Sequence, residues 1–306
     1  MSLNQFLTII SSPTNEILSI FSTIISFGLM VLMFYLGIKI NFSDIKKNFS
    51  EPKGLLTGLF IQIILIPAIA LIYILATNFS FNIQLGIMVI ACMPSAATSN
   101  YITSKINGEL SLSITLTSLC TLLSIFSIPL YLKLFTLITT QDTFIFNTYF
   151  TDVIIKVFIF ITSPIVAGAT LKYFFPQIIK LEKNFDKVSL VLFVVIMKLA
   201  IYLSVLSIQN PTETFIAVFV FMAILITLSG FVIKLTTSSS KTAKTLFAEA
   251  LLQNNALGFM IVFSISANTS GLLPVLAMYA VGQYIVLVLL FYALLKNKTF
   301  LTFDKI

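Results

Sequence analysis

The sequence predicts an all-α polytopic membrane protein, and three observations carry that prediction. Only 9% of the 306 residues are charged, where a soluble domain carries roughly 25%. Apolar runs long enough to cross a bilayer, about 20 residues each, follow one another with short connections. Lysines fill every second connection and leave the others empty, the pattern that membrane orientation imposes.

The opening stretch MSLNQFLTIISSPTNE has no basic region and no clear cleavage site, so it is not read as a cleaved signal. Pro13 and Asn15 set it off from the first span, about 15–38. The second span, 52–77, carries Gln62 and Pro67. The third, 83–106, is interrupted by Met93-Pro94-Ser95-Ala96-Ala97-Thr98-Ser99-Asn100, a small, polar, proline-broken stretch. The fourth, 109–136, places Ser113 and Thr117 one helical turn apart on one face. The fifth, 147–175, has Asp152 and Lys156 near its outer end, spaced as an interfacial ion pair. The sixth, 185–208, holds Lys198 near its centre. The seventh covers 213–236, the eighth 241–267 and the ninth 271–296. Together they read as a single transmembrane domain over 1–306. Pro67, Pro129 and Pro164 read as plain kinks, whereas Pro94 with its polar neighbours reads as a true break.

The lysines orient this array. Lys39, Lys46, Lys47 and Lys53 follow the first span, Lys105 the third, Lys172, Lys180, Lys183 and Lys187 the fifth, Lys234, Lys241 and Lys244 the seventh, and Lys296, Lys298 and Lys305 the ninth. The alternation puts the N-terminus outside and the C-terminus in the cytoplasm, in a bacterial-type inner membrane. It also explains the net charge of +7 without invoking nucleic acid. The absence of histidine removes the usual proton shuttle and general base. Cys92 and Cys120 lie inside apolar runs and read as small buried hydrophobes rather than a disulfide.

The stretch Phe247–Phe259, FAEALLQNNALGF, is the focus of the chain. An acid near the middle of a bilayer costs a few kcal/mol or more unless it is compensated, and such acids are functional by default. A cation held by Glu249, by the Gln253 side chain and by carbonyls freed where the helix unwinds would compensate it. Two interrupted helices in corresponding halves of a chain point to a transporter's binding site. The other intramembrane polar groups are Gln62, Ser99, Asn100, Ser113, Thr117 and Asn254. Hydroxyls, amides and one acid suit a sodium ion, which takes hard oxygen ligands, and not a soft transition metal. The plainer reading of the hydroxyls is helix-to-helix hydrogen bonding, worth about 0.6 kcal/mol each.

These motifs resemble the bile acid:sodium symporter family. The resemblance rests on Gly37-Ile-Lys-Ile-Asn-Phe-Ser-Asp-Ile and Glu51-Pro-Lys-Gly-Leu-Leu, on Gln62 and Pro67, and on Pro94 with Ser99-Asn100. It also rests on Leu112-Ser113 with Thr117, and on Glu249 with Gln253-Asn254. It runs from about Phe27 to Leu294. It implies an inverted repeat, here four helices plus five with the family's first helix absent, two broken crossing helices, and panel and core subdomains. It implies two sodium ions. One is held by Ser99, Asn100, Ser113, Thr117 and Glu249. The other is held by Gln62, Glu249 and Gln253 with the backbone oxygens of Ala250 and Leu252. It further implies an organic-anion substrate near Ala97, Thr98 and Asn254, with Gln283 or Tyr284 in the crevice of the last helix. One departure is Pro94-Ser95-Ala96, where the family commonly has Pro-Gly-Gly.

Lys198 lies about 10 residues, or roughly 15 Å, from either end of its span and needs an anion or a cavity. It is expected to line the substrate cavity and attract a carboxylate, the structural alternative being a pair with an acid such as Asp152. The sequence thus predicts a sodium-coupled symporter of an organic anion, either bile-acid-like or a small carboxylate such as pantoate or pyruvate, working by alternating access. The competing transporter reading is a proton-coupled carrier with Glu249 as the proton site. An intramembrane enzyme would need a nucleophile–base pair or an acid dyad, and neither is present, so no enzymatic activity is expected.

Overall fold

The computed structural model describes residues 15–139, 151, 153–181, 191, 194, 195, 198, 202, 208, 210–265 and 271–296. Its elements are helical. Helix α1 (Asn15–Lys39) is the first span. Helix α2 (Phe42–Ser50) lies in what the sequence suggested was a lysine-bearing loop. Asn41 caps it, its side chain accepting from the Ser43 N–H. Asn48 pins it to the fourth span, donating from Nδ2 to the Ser111 carbonyl at 3.2 Å and to Thr115 Oγ1 at 2.9 Å.

Helix α3 (Pro52–Leu75) is long and apolar enough to cross a membrane. It widens to a π-helix over Phe60–Leu65, where the Ile66 N–H reaches the Ile61 carbonyl. The cause is Pro67, which has no N–H and whose ring pushes away the carbonyl four residues back. Helix α7 (Val153–Phe174) repeats the device over Phe158–Thr162, just before Pro164. At both prolines the expected plain kink is therefore a π-widening, and at the first it carries Gln62.

The third span is two half-helices, α4 (Phe81–Cys92) and α5 (Ala97–Lys105), joined by an extended Met93 and Ala96 around Pro94. Helix α5 ends in a left-handed Asn107 (φ 56°) and a Gly108 N–H bonded to the Thr103 carbonyl at 2.9 Å, a Schellman stop. Helix α6 (Leu110–Ile138) runs unbroken through Pro129. Helix α8 (Pro211–Thr236) is the seventh span. The eighth is again split, into α9 (Ser240–Leu251) and α10 (Asn255–Ile265). Helix α11 (Leu273–Lys296) closes the described chain. Most of the sixth span (185–208), Asp152, the end of the eighth span and the tail with Lys298 and Lys305 lie outside the described residues.

Without a hydrophobic driving force in lipid, helices associate through close packing at small residues. Helices α1 and α7 meet in this way. A Cβ on Gly37 would stand 2.1 Å from the Ile165 carbonyl oxygen, and one on Gly168 would stand 2.1 Å from that of Phe34. Side chains that face outward, such as Ile72, Leu75, Phe126 and Val288, are apolar, as a lipid-facing surface requires. The chain is thus a multi-pass membrane protein.

Candidate functional site

The two unwound segments cross, and their backbones fasten the crossing. Ser95 and Gln253 form an antiparallel bridge. The Ala96 N–H donates to the Leu252 carbonyl at 2.8 Å, and the Asn254 N–H donates to the Pro94 carbonyl at 2.9 Å. Pro94 can only accept, and its place here uses that. Asn254 then caps α10, its Oδ1 accepting from the Leu257 N–H at 3.2 Å.

The Glu249 side chain points from the last turn of α9 into this crossing and is 1% exposed. Its Oε1 accepts from Ser99 Oγ at 2.6 Å and from Ser113 Oγ. Its Oε2 accepts from Thr117 Oγ1 at 3.0 Å and from Ser95 Oγ. Asn100 Oδ1 joins the cluster 2.8 Å from Ser113 Oγ, the two acceptors Asn100 and Glu249 competing for that hydroxyl's one proton. Three elements therefore contribute: the break with the start of α5, one face of α6, and the end of α9. Among the described residues, all four hydrogen-bond partners of the carboxylate are neutral hydroxyls. They solvate the charge but do not balance it, and a buried unbalanced charge is expensive. A monovalent cation among these hard oxygens would balance it.

A second set lies beside the first. Gln62, on the π-stretch of α3, donates from Nε2 to the backbone carbonyl of Glu249, not to its carboxylate. Gln253 Nε2 donates to the Ala250 carbonyl at 3.1 Å and lies 3.5 Å from Gln62 Oε1. The Gln253 Oε1 atom is buried with no hydrogen-bond partner among the described residues. An orphaned buried acceptor of this kind needs explanation, and a cation supplies one. The Leu252 carbonyl, expected in this set, is already engaged by the Ala96 N–H, which leaves it one lone pair.

Of the residues assigned to substrate, four are at the crossing. Ala97 is exposed and Thr98 half-buried in the first turn of α5, and Asn254 is buried at the start of α10. Gln283, fully buried on α11, accepts the Gln253 N–H at 3.2 Å. Lys198 is exposed, as are Val191, Val194, Val195 and Tyr202. Its alternative partner Asp152 lies outside the described residues.

Two contributors were not assigned from the sequence. Ser95 was seen only as part of the break. Glu109 was not singled out, yet it ties α6 to α9. Its carboxylate accepts from Thr242 Oγ1 with Ser239 Oγ 3.4 Å away, and its N–H donates to Thr245 Oγ1 at 2.7 Å. Glu109 lies one turn before Ser113 and Thr242 two turns before Glu249, so this brace sets the register of the cluster. Glu109→Ala should lower the melting temperature of the purified protein by about 2–6 °C, the loss of one or two hydrogen bonds to a charged group. Glu109→Gln should recover part of that loss. A melting temperature unchanged in both variants would show that the brace carries no stability.

A model described as the sodium bile acid symporter family matches residues 26–211. That range contains Gln62, Ser99, Asn100, Ser113 and Thr117; Glu249 and Gln253 lie beyond it. Among curated proteins, the chain is 27% identical over 118 residues to a sodium-dependent organic anion transporter of Bos taurus, covering 39% of this chain and 31% of that protein. It is 25% identical over 167 residues to the ileal sodium/bile acid cotransporter of Homo sapiens, covering 54% and 47%. It is 25% identical over 158 residues to an uncharacterized sodium-dependent transporter of Bacillus subtilis (strain 168), covering 50% and 46%. The matches thus span half or less of the length of these relatives.

Proposed function

The chain belongs to the sodium bile acid symporter family, a family of transporters and not of enzymes, and from that premise we propose that it carries an organic anion across the membrane together with sodium. The observation that supports this most is Glu249, a buried carboxylate ringed by neutral hydroxyls from separate elements.

Two sodium ions are transported per cycle as co-substrates. The first is liganded by Ser99, Asn100, Ser113, Thr117 and Glu249. The second is liganded by Gln62, Gln253 and the carbonyls of Glu249, Ala250 and Leu252. The first ion draws together residues from both sides of the crossing and the second ties the eighth span to α3, and each stabilises the arrangement that accepts substrate by its differential affinity for that state. The starts of α5 and α10 then offer N–H groups and positive dipole ends to a carboxylate, with Ala97, Thr98, Asn254 and Gln283 around it. The crossed core moves against a panel containing α1 and α7 to alternate access. The N-terminus is outside and the C-terminus cytoplasmic, in a bacterial-type inner membrane. The substrate is bile-acid-like or a small carboxylate such as pantoate or pyruvate.

The test is a thermal-shift screen of carboxylates on the purified protein with and without sodium. The expected result is a stabilising carboxylate that acts only when sodium is present. Stabilisation that ignores sodium and changes steeply with pH would instead establish proton coupling.

Lys198 extends the reading to substrate attraction. Lys198→Ala should raise the half-saturating substrate concentration for uptake about five- to tenfold, the effect of losing a charge that steers an anion, and should leave the sodium-dependent shift intact. Unchanged uptake at limiting substrate would remove Lys198 from the substrate path.

A further inference from the structure

On the sodium reading of the crossing, we infer that Ser95 is a further ligand of the first ion, and that it joins the two ion sites mechanically. The first line of support is proton counting. Thr117 has one hydroxyl proton, and its nearest acceptor is Glu249 Oε2, 3.0 Å away. Yet Thr117 Oγ1 also lies 3.3 Å from Ser95 Oγ, 3.4 Å from Ser99 Oγ and 3.4 Å from Asn100 Oδ1. The shortest contacts of the Ser95 and Ser99 hydroxyls are likewise to Glu249. These three separations exceed the O–H···O range of about 2.5–3.0 Å. They are oxygen–oxygen contacts with no proton of their own to share.

Such spacing has a natural use. A cation of calcium-like radius, as sodium is, takes oxygens at about 2.4 Å. Ligands at right angles around it then stand about 3.4 Å apart. The Ser95–Thr117, Ser99–Thr117 and Asn100–Thr117 edges have that length. A hydroxyl can donate its proton to the carboxylate and still turn a lone pair to the ion, so the bonds to Glu249 are compatible with ligation. With Ser95 the donor set becomes Ser95, Ser99, Asn100, Ser113, Thr117 and Glu249. The hydroxyls are then shared evenly, two on each carboxylate oxygen.

Burial and backbone supply the second line. Ser95 is fully buried, and among the described residues its hydroxyl is satisfied only within this cluster. Its backbone pairs with Gln253 in the antiparallel bridge, and Gln253 belongs to the second set. Ser95 therefore touches one ion site with its side chain and the other with its main chain. Filling the first site fixes Ser95 Oγ, and the bridge carries that constraint to Gln253.

The experiment is a sodium titration of the melting temperature of the full-length protein at constant ionic strength, with wild type, Ser95→Ala and Ser95→Cys. Cysteine keeps the volume and a weak donor but replaces the hard oxygen with a soft sulfur. The expected result is a half-saturating sodium concentration raised about tenfold or more in both variants, the loss of one interaction with a charged group. Should Ser95→Ala fail to fold, the cysteine variant carries the test. A half-saturating concentration within twofold of wild type in either folded variant overturns the role of Ser95 and leaves sodium binding intact. A wild type that does not respond to sodium overturns the sodium reading itself. The two failures are thus distinct.

Discussion

Glu249→Gln is expected to reduce sodium-driven uptake about 100-fold or more while leaving the protein folded. The sign of each effect follows from the crossing. Ser95, Ser99, Ser113 and Thr117 all direct hydroxyls at the carboxylate. A glutamine of the same shape keeps an oxygen for some of them but no longer carries the charge that a cation would balance. Breaking a buried charge pair costs about 3–5 kcal/mol, which at 1.4 kcal/mol per tenfold exceeds a hundredfold in ion affinity. In the absence of sodium the same substitution removes an unbalanced charge from the protein interior. The sodium-free melting temperature should therefore hold or rise, while its response to sodium disappears. Uptake into proteoliposomes and the two melting curves check this together. A variant that transports with an unaltered sodium dependence would place the coupling ion elsewhere.

The second large effect is on assembly. Gly168→Ala is expected to lower the melting temperature by about 5–10 °C, because its new Cβ meets the backbone oxygen of Phe34. A flexible side chain could move aside, but a helix backbone cannot without separating α1 from α7. Overpacking of this kind costs about 1–3 kcal/mol or more, which the usual entropy of unfolding converts to the stated shift. Gly37→Ala strikes the same contact from the other helix, so the double variant should lose less than the sum of the two. Sodium affinity should not change, since neither glycine touches the crossing. Melting curves of the three variants, with and without sodium, check both halves of the expectation.

Much of this site could be read from residues alone, for a physical reason. Polar groups inside apolar spans are costly, so Glu249, Gln253, Asn100, Ser113 and Thr117 stand out against their surroundings. Pro94 with its polar neighbours announced the first break, and the polar run from Glu249 to Asn254 marked the second. Among the described residues, the third and eighth spans are split where their polar stretches lie. What was not legible depends on three-dimensional context. The π-stretches before Pro67 and Pro164 look in sequence like ordinary proline kinks. Helix α2 is short and held by Asn48 against α6, a partner more than sixty residues away. Ser95 is one more serine until the crossing turns it toward Glu249. Glu109 is an acid at a helix end until α9 packs beside it. Likewise, that Gln62 meets the main chain of Glu249 and not its side chain follows only from the placement of α3.

In the proposed mechanism Glu249 neutralises a bound sodium ion at the helix crossing. Equilibrium binding of radiolabelled sodium to the purified protein measures this most directly. Saturable binding in the wild type, with at least one ion lost in Glu249→Gln, is the predicted result. The same saturable binding, at the same stoichiometry and affinity in the glutamine variant, would contradict it.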